Sequence, residues 1–399
     1  MGSFIYALTR FTQSVRHDDD FVDRLNYRYT AVILVVFALL VSGKQYVGAP
    51  IHCWCPAKFT DAHVNFANSL CWVKNTYYVP VGEMLPLEDE PRRKKELGYY
   101  QWVPIVLLAQ AVLFYIPCIV WRMLNDKSGI NVNTIVQTVT DIHHLNPDIR
   151  DKTIQYLVRH MDRCFDSQRE YRAGCCVKFR QNLATKCCLV CGRRYGNYLV
   201  SLYLLIKVFY FANAVGQLFL LNSFIGTNYT LYGLEVVRDL INGTDWTESA
   251  RFPRVTLCDF KIREFGLNIH RYTLQCVLPI NLFNEKIYIF LWFWLLFIAA
   301  ASAISTFHWI VTLCAGNKIM YVKKHLKLMM RYDKATEKKV VPKFTNTYLK
   351  QDGIFVLRLL GKNANEVIVS EIVAGLWDYY KQHRRGHIDQ DLGTEQLTL

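Results

Sequence analysis

Four segments of this chain are apolar enough and long enough to cross a hydrocarbon core, and that removes most water-soluble folds from consideration. The clearest runs from Ile287 to Leu313, reads IYIFLWFWLLFIAAASAISTFHWIVTL and carries no formal charge; a helical span needs about 20 such residues. Val103 to Met123 holds one mid-segment polar residue, Gln110, and has Arg122 at its end. Tyr198 to Leu221 is long enough but contains Lys207, Asn213 and Gln217, groups that in lipid must face a protein interior or water. The first candidate is the weakest. Only Ala31 to Val41 is uninterrupted, and full length requires Arg28 and Lys44 to snorkel at opposite ends. Taken alone, that segment also fits a buried soluble helix.

A cleaved signal peptide is disfavoured, because the stretch before the first apolar run holds Asp18, Asp19, Asp20 and Asp23 where a basic region is required. The Met1-Gly2 start suggests N-myristoylation, but Tyr6 stands where that motif needs Ser or Thr.

Orientation follows from charge. Of the net +14, the region from Arg122 to Tyr198 holds thirteen Lys/Arg against seven Asp/Glu, and the region from Cys314 onward fifteen against nine. The segments Gly48 to Gly98 and Asn222 to Lys286 balance at six against six and seven against seven. Positive loops stay cytoplasmic, so the two neutral segments are expected outside and both termini inside. The sequons at Asn228 and Asn242 both fall in the second neutral segment and agree with this. Arg92-Arg93-Lys94-Lys95 dissents, being basic on the outer side. Charge on the inner side of a membrane explains the basic regions better than nucleic-acid binding does.

The two outer segments carry matched cysteines: Cys53 and Cys71 enclose seventeen residues, as do Cys258 and Cys276. In an oxidising exterior these become disulfides, and four cysteines allow three connectivities. Cys55 is left over, either as a free thiol or as a competitor of Cys53. Val255 and Leu257, then Tyr272, Leu274, Cys276 and Leu278, alternate with period two, so the second segment is expected to pair strands across a turn.

The inner regions read as helix. Val132, Ile135, Val136, Val139 and Ile142 share one face; after Asn146-Pro147 the stripe resumes with Ile154, Leu157, Val158, Met161 and Phe165. In the tail, Val369, Ile372, Val373, Leu376 and Tyr380 form a third stripe, with Asn365 as a cap. Such stripes need partners, so inner loop and tail are expected to pack together. Phe4, Leu8, Phe11 and Val15 give a short amphipathic helix ahead of the first span, an interfacial anchor or a pore element. Cys175, Cys176, Cys187, Cys188 and Cys191 cluster in the inner loop, but Cys188 and Cys191 lack a second ligand pair, so free thiols are preferred over zinc or acylation.

At the second span the sequence reads Tyr99-Tyr100-Gln101-Trp102-Val103-Pro104, which closely resembles the signature of the innexins, the invertebrate gap-junction proteins. Pro50-Ile51-His52-Cys53-Trp54 resembles the family's first-loop cysteine motif, and Phe252-Pro253-Arg254-Val255 leading to Cys258-Asp259-Phe260 its second-loop motif. Asn284-Glu285-Lys286 before the fourth span and Gln351-Asp352-Gly353 in the tail are similar to further family elements. What this resemblance implies is a hemichannel, octameric, that docks through its outer loops with one of an apposed cell and passes ions and small molecules. It further implies disulfides joining the loops, Cys53 with Cys276 and Cys71 with Cys258, and an N-terminal segment folded into the pore mouth with Phe4, Leu8 and Phe11 packed on the first span.

The expected fold is an α-helical polytopic membrane protein, a four-transmembrane-helix bundle with disulfide-braced extracellular loops containing short strands and a helical cytoplasmic domain. The expected parts are an N-terminal pore helix (1–24), spans at 25–47, 102–123, 198–221 and 287–313, outer loops at 48–101 and 222–286, a helical inner loop (124–197) and a helical tail (314–399). No catalytic residue, metal site or cofactor is expected: permeation is diffusion, and no P-loop, dinucleotide or HExxH motif occurs. Expected partners are further innexin subunits, like or unlike, the docking hemichannel and membrane lipid, at a plasma-membrane gap junction. Two other readings compete: an undocked hemichannel releasing small molecules, as in the related pannexins, and a non-conducting adhesion protein. The second leaves the polar residues inside the third span unexplained.

Overall fold

A computed structural model describes residues 18–80, 82–141, 147–167, 196–225, 232–243, 251–263, 266, 268–315, 318–333, 337–338, 340–363 and 365–384. Among the described residues, four helices are long and apolar enough to cross a membrane: α1 (Phe21–Tyr46), α4 (Tyr99–Asn125), α7 (Tyr198–Ile225) and α9 (Pro279–Ile310). Most of their exposed side chains are apolar, among them Leu40, Val112, Leu205, Phe219, Ile304 and Phe307. Less than half of each span's most apolar window is buried within the chain. A helix that is apolar on its exposed as well as its buried face belongs in lipid. With the family motifs above, this is a multi-pass membrane protein. The chain divides into two compact units whose limits fall inside these helices, at residues 24/25, 116/117, 209/210 and 301/302, and each unit is described by itself.

The unit formed by 25–116 and 210–301 contains one antiparallel sheet. Its strands are β1 (His52–Trp54), β2 (Thr76–Tyr77), β3 (Glu96–Leu97), β4 (Val255–Arg263) and β5 (Ile269–Val277), in the order β1-β5-β4-β2-β3. Strands from the two loops therefore interleave: β1 pairs with β5, and β2 with β4. α2 (Asp61–Lys74), the short α3 (Asp89–Arg93) and α8 (Tyr232–Asn242) complete the loops. On β5 the buried residues are Leu274 and Cys276, but on β4 they are Thr256, Cys258 and Phe260, while Val255 is exposed. Val255 and Leu257 alone point to the wrong inner face: over the whole strand their face also carries Asp259, Lys261 and Arg263, whereas Thr256, Cys258, Phe260 and Ile262 make the apolar face, which also brings Cys258 to Cys71 on α2. A one-residue shift would invert every side chain of the strand, so apolar pattern and bridge fix the same register.

The unit formed by the remaining residues is helical: α5 (Val132–Asp141), α6 (Pro147–Ser167), α10 (Lys318–Leu328), α11 (Val340–Lys343), α12 (Lys350–Asn363) and α13 (Glu366–Tyr379) accompany its portions of the spans. The stripes on α5, α6 and α13 are buried wherever they are described. α6 packs on α13 so closely that a Cβ added at Gly375 would stand 2.8 Å from Val158 Cγ2. Phe344, Tyr348, Trp377 and Tyr380 form an aromatic cluster, and Tyr348 donates to Asp162 Oδ1 at 2.7 Å. Asn365 accepts the Val367 N–H at 3.0 Å, the N-cap that the tail stripe calls for.

Candidate functional site

Two groups of residues stand out, one in each unit. In the sheet unit, Cys53 on β1 is bonded to Cys276 on β5, and Cys71 on α2 to Cys258 on β4, across sequence separations of 223 and 187 residues. Cys53 and Cys276 face each other in register. The sulfurs of Cys53, Cys71 and Cys276 lie within 4.8 Å of one another, the one cluster of metal-ligating side chains among the described residues, and all three are consumed in disulfides. Cys55 is free and half-buried, and burial pushes its thiol up, away from the reactive thiolate. Cys55→Ser is therefore expected to retain most junctional conductance between paired cells; a loss as large as that from a bridged cysteine would make Cys55 a disulfide partner.

Asp259, on β4 next to Cys258, gathers the sheet. Its carboxylate accepts from Tyr77 at 3.1 Å, Arg92 at 2.6 Å and Arg271 at 3.3 Å, and its carbonyl accepts from Lys74 at 2.8 Å. Burial alone would raise its pKa, but the Thr273 hydroxyl and the Arg92 guanidinium hold it below the usual carboxylate value. The basic run at 92–95 thus has a local use: Arg92 clamps Asp259, and Lys95 pairs with Glu83 at 3.0 Å. The sequence shows Asp259 only as a member of the second-loop motif and gives no sign of its role, since its partners come from four separate elements.

Tyr99 to Val103 open α4 and fasten it to both loops. Tyr99 donates to the Arg251 carbonyl at 2.9 Å, and Gln101 donates to Trp72 O at 2.5 Å and Asn75 Oδ1 at 3.2 Å. Tyr100, fully buried, packs its ring 5.0 Å from that of Trp72, and its carbonyl accepts from Gln45 at 2.8 Å. Val103 is buried, whereas Trp102 is exposed, as suits an aromatic at a membrane interface.

In the helical unit, Lys207 on α7 is 1% exposed. Its ammonium lies 2.9 Å from Asp23 Oδ1 and 3.4 Å from Asp20 Oδ2, and donates to Ser305 Oγ at 2.9 Å. Tyr203 donates to Asp23 at 2.9 Å and Trp309 Nε1 to Asp20 at 3.0 Å. Burial would push Asp20 up, but Lys207, Trp309 and Lys362 bring it down to about 2. Asp20 loses its stabilising charge only as pH falls through that value, so its carboxylate stays ionised at any cellular pH. A lysine that hydropathy reads as a flaw in a span is instead the counter-ion of two aspartates just ahead of and inside α1.

Gln217 is buried and donates to Asn213 Oδ1 at 3.2 Å. Asn242 is exposed at the end of α8. Phe4, Leu8, Phe11, Asn228 and the cluster Cys175, Cys176, Cys187, Cys188 and Cys191 lie outside the described residues.

With this arrangement in view, known sequences are informative. The Innexin family model matches residues 19–380. Innexin unc-9 of Caenorhabditis elegans is 41% identical over 389 residues, covering 97% of this chain and 99% of the relative. Innexin-19 of Caenorhabditis briggsae is 35% identical over 408 residues, covering 95% and 89%, and Innexin-11 of Caenorhabditis elegans is 37% identical over 380 residues, covering 92% and 80%.

Proposed function

Because the chain belongs to the innexin family and is a gap-junction channel subunit, we propose that its loop sheet is the docking rim of an octameric hemichannel, with both termini cytoplasmic. The family is one of channels, not enzymes. The observation that carries the docking reading is the single sheet into which both loops are woven and pinned by two bridges. A rim ordered in advance meets its copy without a folding cost at contact. The orientation rests on charge: the loops that build the sheet are neutral, while the region from Arg122 to Tyr198 and the tail hold almost all the net positive charge.

Paired cells that both express the protein should conduct to one another, and cells expressing it beside untransfected neighbours should not. Membrane conductance in single cells, with none between pairs, would favour undocked release instead. The exposed sequon residue Asn242 supports that second reading, because a sugar there could obstruct docking. Removing both sequons (Asn228→Gln with Asn242→Gln) separates the two: junctional conductance gained on removal means that glycans block docking. Viewed down the pore axis, purified particles should show eight subunits; any other number sinks the octamer.

We place residues 1–24 at the pore mouth by family resemblance, with Phe4, Leu8 and Phe11 against the first span. Deleting residues 2–15 should then alter conductance or its voltage response while surface delivery stays normal. Unchanged currents would remove that segment from the pore.

A further inference from the structure

α12 makes three sets of contacts that simple packing does not require. Near its start, Asp352 is fully buried; its Oδ1 accepts the Val200 amide at 3.2 Å, and the amides of Leu199 and Tyr198 also bond it. These belong to the first turn of α7, where amides lack intrahelical partners and the helix dipole is positive. The Asp352 amide donates to Gly196 O at 2.8 Å. Gly196 has φ +69°, and a Cβ there would meet the Lys350 side chain, so glycine suits this docking. Further along, Arg358 stacks over Tyr321 and donates to the carbonyl of Thr312, in the helical turn that continues α9. That is the negative end of a helix. At the far end, Lys362 stands 3.7 Å from Asp20, and Asn363 donates to Asp19 O at 3.0 Å and accepts from Arg24 at 3.1 Å.

We propose that α12 is the positioning element of the channel: Asp352 holds the start of α7, Arg358 the end of α9, and Lys362 with Asn363 the segment leading into α1, so that the tail sets three spans together. The inference rests on the channel reading. Along α12 each polar group matches what it touches, with Asp352 offering an acceptor to the amides that open α7 and Arg358 offering donors to a carbonyl at the end of α9. That complementarity fixes one register of the helix against the spans.

The groups facing Asp352 are the α7 amides and, on its own helix, Lys350; burial outweighs both and pushes its pKa up to about 6. The sign follows. A raised pKa means that the docked carboxyl holds its proton more readily than an exposed one, so acidification through about 6 tightens docking and rising pH loosens it.

The test is the pH profile of conductance, with surface protein measured in parallel. Wild type should show an inflection near 6. Asp352→Asn, which keeps an acceptor for Val200 but cannot titrate, should lose that inflection and at neutral pH gate like acidified wild type. Lys350→Met, which removes the charge that lowers Asp352, should move the inflection to higher pH. Arg358→Lys should preserve voltage dependence, and Arg358→Met should shift it. A wild-type profile without the inflection, an inflection unmoved in Lys350→Met, or Arg358→Met gating like wild type at normal surface level would each overturn the proposal. Wild-type protein at the surface with no conductance at all would instead count against the channel reading.

Discussion

Cys71→Ser is expected to abolish junctional conductance between paired cells, and to do so even when some of the protein reaches the surface. Cys71 and Cys258 are both fully buried. Their bridge ties α2, from the first loop, to β4, from the second. A native disulfide typically stabilises a fold by about 2 to 4 kcal/mol, and the chain-entropy account gives about 5 kcal/mol for so long a separation. The local consequence is larger than that figure suggests, because Asp259 is the neighbour of Cys258, and freeing β4 from α2 loosens the contacts of Asp259 with Arg92, Tyr77 and Arg271. Junctional conductance from Cys71→Ser at more than a small fraction of the wild-type level, for equal surface protein, would show that docking does not need this bridge. Cys53→Ser should behave similarly, since Cys53 and Cys276 join β1 to β5.

What the sequence made legible, and what it hid, divides by the range of the interaction. The helical stripes of α5, α6 and α13 repeat within a few residues, and the structure buries them as the spacing requires. The hairpin of β4 and β5 announces itself through period two and a short turn. Which face of β4 points inward is misread from Val255 and Leu257 alone and becomes legible once Phe260 and Ile262 are weighed against Asp259, Lys261 and Arg263. Asp18 to Asp20 and Asp23 read in sequence as charges that argue against a signal peptide, and Lys207 reads as a polar fault in a span; Asp20 and Lys207 are 187 positions apart. No local pattern joins them. The same holds for Asp352, visible only as part of a family-like tail element until the start of α7 is found against it. Tyr99 to Val103 were conspicuous as a signature, but their work, tying a span to both loops through Trp72 and Arg251, needed coordinates to see.

Lys207→Met should be the most damaging single change in the helical unit. It removes the ammonium from between Asp20 and Asp23, whose side chains are 14% and 3% exposed, and leaves both carboxylates with neutral donors only, apart from Lys362 at 3.7 Å from Asp20. Breaking a buried ion pair from one side costs about 3 to 5 kcal/mol, because the remaining charge keeps its desolvation penalty. That is a large share of a typical total stability of about 5 to 15 kcal/mol. Surface delivery and the melting temperature of the solubilised particle should both fall. If the cause is the stranded charge, not the lost lysine packing, then Lys207→Met combined with Asp20→Asn and Asp23→Asn should recover much of the loss, since neutral amides can still accept from Trp309 and Tyr203. Lys207→Arg tests geometry in the same cavity: the charge is kept, but a planar guanidinium must fit where Ser305 and two carboxylates converge on a single ammonium. A Lys207→Met protein that melts and conducts like wild type would mean that Asp20 is already neutral. That conflicts with an Asp20 held near 2 by the ammonium beside it.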